Sequence, residues 1–428
     1  MADEFVNAVR WDSGTVCAAA SSGTVVVVGA SVAGVAAATA LRDNGFPGRV
    51  ILADASAELP HDKPALSKEI LTGELDEDDI TLLSEHRARD LDIELALGQP
   101  ALRLDPKSRT IRLPAGGLAY DAVIIATGAG ARMPRPLRRP SHVYTLRDVT
   151  DARMIGKRMR RGQPKLAVVG GGFIGCEVAA SACRLGLQVT VIDTVDHLLA
   201  RALPQQLAAP IEQLHRSHGV EIRCGAAVVG LSPLRKGLAL RLRDTTIIDA
   251  DMVVVGVGAS PNTKWLAHSG VALDDGVLTD SAMRTTVPGV YAVGDVARRR
   301  DNHGERGVRT EHWTAARDAG RLVAANLAAG SDKPYTKHSY VWSDQFGHRL
   351  QLAGDTCVET EFLTGGGINE PYVAVCRRGD EIAGVVAFDD GAGFRRAQRL
   401  IGTDPAAKSP VLTEKRCTQP LLPMRRKR

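Results

Sequence analysis

Two stretches of this chain join an apolar run to a glycine-rich turn, and each is followed about twenty residues later by an aspartate. The first reads Val25-Val26-Val27-Val28-Gly29-Ala30-Ser31-Val32-Ala33-Gly34, with Asp54 downstream. The second reads Leu166-Ala167-Val168-Val169-Gly170-Gly171-Gly172-Phe173-Ile174-Gly175, with Asp193 downstream. Unbroken apolar runs of this length are strands covered on both faces, which requires a parallel sheet with helices on each side. A chain with two such units is therefore α/β, and each unit is a strand–turn–helix.

The second unit fits G-x-G-x-x-G in full. Gly170 permits the tight turn, Gly172 lets a pyrophosphate approach the backbone, and Gly175 allows the helix to pack closely on the strand. The helix N-terminus then offers free N–H groups to two phosphates. Asp193 stands where an acid holds both ribose hydroxyls. Thr194-Val195-Asp196 supplies no cation for a 2′-phosphate, so NADH is expected over NADPH. In the first unit Ser31 replaces the middle glycine, a small residue that still permits the turn, and Asp54 completes the pattern. Two dinucleotide units in one chain imply two dinucleotides close enough to exchange electrons, which points to a flavoprotein rather than a simple dehydrogenase.

The 428 residues exceed one hydrophobic core, so several domains are expected. The pattern predicts strands at 25–28, 50–52 and 122–126, with a helix at 32–43 and a long irregular segment at 55–74. A hairpin is expected over 101–104 and 110–113. In the second unit it predicts a helix at 174–185 and strands at 188–192 and 251–256. A strand at 290–293 runs into Gly294-Asp295, and 311–329 is helical. Strands at 372–377 and 381–388 flank the turn at Gly379-Asp380, and a helix follows at 392–401. The Pro- and Arg-rich stretch 132–140 marks a boundary.

The net charge of +5 is concentrated at one end. Residues 405–428 carry seven basic side chains and one acid, which leaves the remainder near neutrality. No basic face with interleaved aromatics is visible, so nucleic acid is not expected as a partner. No stretch of 18 apolar residues exists, so no membrane span is expected. The first 22 residues lack a basic segment followed by an apolar one, so the cytoplasm is the expected compartment. The seven cysteines are scattered without C-x-x-C or C-x4-C spacing, and the histidines show no metal-ligand spacing.

The order of motifs resembles the FAD-dependent ferredoxin reductases of the putidaredoxin-reductase type, in the glutathione-reductase superfamily. The resemblance runs from about Gly23 to Gly402. It is carried by both glycine-rich turns; by His61-Asp62-Lys63-Pro64-Ala65-Leu66-Ser67-Lys68; by Ala126-Thr127-Gly128; by Tyr291-Ala292-Val293-Gly294-Asp295; by Glu311-His312-Trp313; and by Val341-Trp342-Ser343-Asp344-Gln345. It implies that Gly29, Ser31, Gly34 and Asp54 hold the adenosine and pyrophosphate of FAD. Lys63 and Pro64 would lie along that cofactor, where the family usually has Arg-Pro. Ala126, Thr127, Gly128 and Gly294 would also line the FAD, and Asp295 would bind its ribityl chain. Glu311, His312, Trp313 and Trp342 would sit near the isoalloxazine. Gly170, Gly172, Phe173, Ile174, Gly175, Glu177, Asp193 and Gly258 would serve NAD. Lys68 would approach the flavin edge and pair with Glu177, an ammonium set against the negative charge that hydride arrival brings. With the family resemblance that these motifs carry, the expected organisation is an N-terminal extension (1–22), a discontinuous FAD-binding domain (23–138 and 258–330), an NAD-binding domain (139–257), a C-terminal α+β domain (331–404) and a basic tail (405–428).

Disulfide reductases of the superfamily carry C-x4-C ahead of the lysine matching Lys68, and the stretch 59–68 holds no cysteine here. Electrons are then expected to leave the flavin directly, one at a time, for a small acidic iron–sulfur ferredoxin of the [2Fe-2S] type serving a P450 or a Rieske oxygenase. Arg298, Arg299, Arg300, Arg306 and Arg309 are the expected basic docking patch. A monomer or weak dimer is expected. The rival readings are an NADH oxidase or quinone-type flavin reductase, and a redox-sensing flavoprotein of the apoptosis-inducing-factor type.

Overall fold

The computed structural model describes residues 22–138, 141–300, 307–366 and 370–403. Residues 1–21 of the N-terminal extension, the basic tail and Arg306 lie outside them.

The first glycine-rich strand, Thr24–Val28, is the centre of a parallel five-stranded sheet. Its neighbours are Arg49–Ala53 on one side and Ala122–Ile125 on the other, with Ile93–Ala96 and Val290–Ala292 at the edges. Val25, Val26 and Val27 are fully buried in succession, as a strand covered on both faces must be. Each such side chain contributes about 1.5–3 kcal/mol on burial. One covering helix, Val32–Asp43, packs on Trp313–Ala329. Gly320 makes that crossing possible, because a Cβ there would lie 2.3 Å from the Ala33 carbonyl oxygen.

The second sheet repeats the plan. Its order is Glu221–Arg223, Val189–Ile192, Leu166–Val169, Met252–Val255 and Val143–Thr145, all parallel. The chain enters and leaves this unit through a two-stranded ribbon, Ala129–Ala131 against Ala259–Pro261. The first sheet thus draws strands from both sides of the second unit. A third five-stranded sheet, wholly antiparallel, is built from residues 340–388 and is capped by the helix Gly391–Gln398.

Several expectations are adjusted. The irregular stretch 55–74 contains a short helix, Glu69–Thr72. The hairpin near residue 101 begins at Arg103 and gains a third strand, Gly116–Ala119. The last helix stops at Gln398 rather than 401. Further features had no counterpart in the sequence reading: the helices Glu85–Asp90, Val149–Met159 and Gln205–Ser217, the strands Ile93–Ala96, Val143–Thr145 and Glu221–Arg223, and the three-stranded sheet spanning 228–250. Among the described residues no helix is long and apolar enough to cross a membrane.

Candidate functional site

The two glycine-rich turns are near-copies in three dimensions. Gly29 and Gly170 both have φ of +113°, open to glycine at little cost. A Cβ on Gly29 would lie 2.2 Å from the Ala126 carbonyl oxygen, and one on Gly170 would lie 2.3 Å from that of Gly256. Gly34 and Gly175 close the turns from beneath, each facing the carbonyl of the first glycine at 1.8 and 1.9 Å from a hypothetical Cβ. They shape the loops but do not line the cavity above them.

Both helices that follow begin without a side-chain cap, and neither has an acid in its first turn. The helices at Glu85–Asp90, Val149–Met159 and Gly391–Gln398 instead start with Ser84, Asp148 and Asp390, whose side chains accept from the third helical N–H, while Gln205–Ser217 and Trp313–Ala329 also start without a side-chain cap. Ser31 stands at a cap position yet leaves the donors unoccupied. Two uncapped N-termini with positive dipole ends are what two pyrophosphates require.

These turns open into one cavity of about 1370 Å³, lined from both units. That exceeds the usual space for one drug-sized ligand, about 300–1,000 Å³. Asp54 and Asp193 occupy matching places in it. Asp54 accepts from Ala30 N at 2.5 Å and Ser56 N at 2.7 Å; Asp193 accepts from Gly171 N and Thr194 N, both at 2.6 Å. Each carboxylate thereby faces its own turn and keeps lone pairs for a ribose. Every expected site residue except Gly34 and Gly175 borders this cavity.

Lys68 comes from the first unit and Glu177 from the first turns of the Phe173–Arg184 helix in the second. Their Nζ–Oε2 separation is 3.4 Å, and the two side chains are 12% and 8% exposed. The pair therefore ties the two nucleotide units together. Ser67 and Ser343 also donate to Glu177, at 2.5 and 2.7 Å.

Asp295 pairs with Arg147, whose Nε donates to Ala129 O at 2.6 Å. Lys63 donates to Arg147 O at 3.0 Å. Burial, with the Arg147 charge beside it, pushes Lys63 from 10.5 down to about 8. The unfolded chain then binds more protons between these values, so this lysine makes the apoprotein gain stability as pH rises from about 8 to 10.5. Thermal unfolding of FAD-free protein across that window should show a rise that Lys63→Met flattens.

Trp313 and Trp342 meet edge to face at 5.9 Å between ring centroids. Trp313 Nε1 donates to Asp62 at 2.6 Å, and Arg317 sits 5.1 Å over its ring. Burial raises the Asp62 carboxyl, while the Trp313 bond and the Lys68 charge oppose the rise. His312 lies at the start of the same helix; burial lowers its basicity, against Asp295 and Glu311. Thr127 and Asn262 are held by reciprocal bonds of 3.0 and 2.9 Å.

The expected docking patch is not a free basic surface. Arg298 donates to Gly307 O at 2.7 Å and pairs with Asp274 at 3.4 Å. Arg299 donates to Tyr335 O at 2.9 Å and lies over its ring. Arg309 sits between Asp275 and Glu311, and Arg300 is also engaged within the fold. Arginines in sequence at a strand end are consumed by the acids and carbonyls that the fold brings to them. The sequence reading also missed Arg147, Asn262, and Ser67 and Ser343 as the pair of hydroxyls on Glu177. Only the bare motif spans 61–68 and 341–345 hinted at the last.

A redox protein that binds two dinucleotides is the class this architecture defines. The sequence profile of the pyridine nucleotide-disulphide oxidoreductase family matches residues 23–320, and that of a reductase C-terminal family matches 340–418. The chain belongs to this family, as an FAD-dependent ferredoxin reductase of the putidaredoxin-reductase type. It is 36% identical to terpredoxin reductase of a Pseudomonas species over 335 residues, covering 78% of this chain and 81% of that protein. It is 37% identical to the ferredoxin–NAD(+) reductase component of the p-cumate 2,3-dioxygenase system of Pseudomonas putida over 340 residues, 77% and 81% of the two chains. The putidaredoxin reductase seen in covalent complex with putidaredoxin superposes with a TM-score of 0.85 at 28% identity, over 91% of this chain and 97% of that one.

Proposed function

We propose that the protein is an NADH-dependent ferredoxin reductase. The observation that carries this reading is one cavity floored by two uncapped glycine-rich turns, joined by the Lys68–Glu177 pair, with no cysteine between residues 59 and 68. FAD, when bound, accepts a hydride from NADH and passes electrons on singly.

The chain's own part is to hold and to polarise. The turn at Gly29 and the carboxylate of Asp54 receive the FAD pyrophosphate and adenosine ribose; those at Gly170 and Asp193 receive NADH. Lys63 and Pro64 line the FAD, and the Arg147–Asp295 pair presents a carboxylate oxygen to its polyol chain. Lys68, held by Glu177, sets an ammonium at the flavin edge. Trp313 and Trp342 exclude water from one side. With no thiol in the 59–68 stretch, electrons leave directly to a small acidic [2Fe-2S] ferredoxin serving a P450 or a Rieske oxygenase. We place the protein in the cytoplasm as a monomer or weak dimer, with the domain limits given by the sequence.

The test is an anaerobic titration. One equivalent of NADH should bleach the flavin absorbance, and oxidised ferredoxin should restore it. Rapid restoration by air alone would turn the reading toward an oxidase. Asp193→Ala tests the ribose assignment. A hydrogen bond to a charged group contributes about 1.5–3 kcal/mol, so kcat/KM for NADH should fall roughly tenfold or more while that for NADPH holds or rises. A wild type that already works better with NADPH refutes the assignment.

A further inference from the structure

Glu177 is the inner end of a buried polar chain that leaves the nucleotide cavity. Its Oε1 accepts from Ser343 Oγ at 2.7 Å. Ser343 Oγ accepts from Gln345 Nε2 at 2.9 Å. Gln345 Oε1 meets His215 Nε2 at 2.7 Å. Ser343 and His215 are fully buried, and Gln345 and Glu177 nearly so. The members come from three places: Glu177 on the Phe173–Arg184 helix, Ser343 and Gln345 two apart on the Tyr340–Gln345 strand, and His215 on the Gln205–Ser217 helix. Residues two apart on a strand share a face, while the intervening Asp344 pairs with Arg349.

The direction of every bond follows from the end that can only accept. A carboxylate has no proton to give, so the serine hydroxyl donates to it. The serine lone pairs then take the amide N–H of Gln345, which turns the amide oxygen toward the histidine. His215 must therefore carry its hydrogen on Nε2. Burial pushes its pKa down to about 4, so the ring is neutral, and its Nδ1 has no hydrogen-bond partner. All three donors aim the same way, toward Glu177. Aligned bonds in a low-dielectric interior polarise one another.

Such a chain is costly to bury. A buried group without a partner, such as His215 Nδ1, gives up its hydration for nothing in return, and apolar side chains would fill the same space more cheaply. The other carboxylate oxygen, Oε2, faces Ser67 and Lys68. Every fixed donor on Oε1 thus removes freedom from the partner of Lys68.

We propose that Ser343, Gln345 and His215 are positioning residues for the reaction: the donor chain locks the Glu177 carboxylate in one orientation, and through it holds the Lys68 ammonium at the flavin edge. This rests on the reading of Lys68 as the cation that opposes charge on the reduced cofactor.

The test uses FAD-loaded enzyme carrying Ser343→Ala, Gln345→Leu, Ser343→Thr and, as reference, Lys68→Met. Rapid-mixing reduction by NADH and the midpoint potential of bound flavin are read alongside FAD content and melting temperature. Ser343→Ala should slow reduction about tenfold, leave KM for NADH within twofold, and lower the potential; a tenfold shift of this two-electron equilibrium is about 30 mV. Ser343→Thr, which keeps the hydroxyl, should restore both. Gln345→Leu should act in the same direction, and combining it with Ser343→Ala should add little, because the links act in series. If Lys68→Met slows reduction and Ser343→Ala and Gln345→Leu change neither rate nor potential per bound flavin, the chain is structural only and the proposal fails. If Lys68→Met also changes nothing, the reading of Lys68 fails first and takes the proposal with it. Should Ser343→Ala not fold, Gln345→Leu and His215→Phe decide by the same readouts.

Discussion

Replacing Lys68 by methionine should slow the reduction of bound FAD by NADH about a hundred- to a thousandfold while leaving the protein yellow. The ammonium lies in a site that is 12% exposed and 3.4 Å from a carboxylate, so water cannot take over its role. Removing one preorganised charge-stabilising donor from such a site costs roughly 10²–10³ in rate. Methionine keeps the length and flexibility of the stem, which separates loss of charge from loss of packing. A second effect follows from the partner. Breaking a buried pair on one side leaves an uncompensated charge and costs about 3–5 kcal/mol in general. Here Ser67 and Ser343 still donate to Glu177, so the loss should fall at the low end. Adding Glu177→Gln should recover much of that stability without recovering rate. Anaerobic stopped-flow at saturating NADH, with thermal unfolding of the same samples, measures both. A single variant that reduces as fast as wild type removes Lys68 from the mechanism.

The reach of the sequence depended on what each residue needed from its surroundings. Gly29, Gly170 and the apolar strands behind them declared themselves because turn geometry and two-sided burial leave few alternatives. Lys68 and Glu177 were visible only by resemblance, since 109 positions separate them along the chain. Arg147 was silent: nothing in a lone arginine before Asp148 says that it will meet Asp295 across the fold. His215 was silent for the same reason, and Ser343 and Gln345 stood out only as members of the motif 341–345, ordinary polar residues with no stated role until three elements converge. The helix Gln205–Ser217 was hidden by Pro210 inside it, which reads as a breaker in one dimension. The helix Val149–Met159 was hidden by its charged face. The arginine cluster failed in the opposite way. Its density promised a free basic surface, but Asp274, Asp275 and Glu311 are close enough to claim Arg298 and Arg309. Charge along a chain is a statement about partners only after the intramolecular ones are counted. Arg298 and Arg309, with side chains 14% and 11% exposed, have little left to offer a ferredoxin.

The largest separation of effects is expected between two glycines two residues apart. Gly170 has φ of +113°, and a Cβ there would lie 2.3 Å from Gly256 O and 2.7 Å from its carbon. Both the backbone angle and the contact oppose any side chain, so Gly170→Ala must distort the turn and the strand beneath it. Gly172 is different. Its φ and ψ of −80° and −174° suit any residue, and a Cβ there meets nothing within 4 Å. The free protein therefore has no use for a glycine at this position; only an approaching ligand does. Gly172→Ala should keep the wild-type melting temperature, FAD content and reduction by dithionite, yet raise KM for NADH at least tenfold by standing where the pyrophosphate comes down on the backbone. Gly170→Ala should lose stability as well as NADH reduction, with the flavin still reducible by dithionite, because the distortion is confined to the second turn. Equal KM for Gly172→Ala and wild type would mean that the second turn does not carry NADH, and the open space above Gly172 would need another occupant.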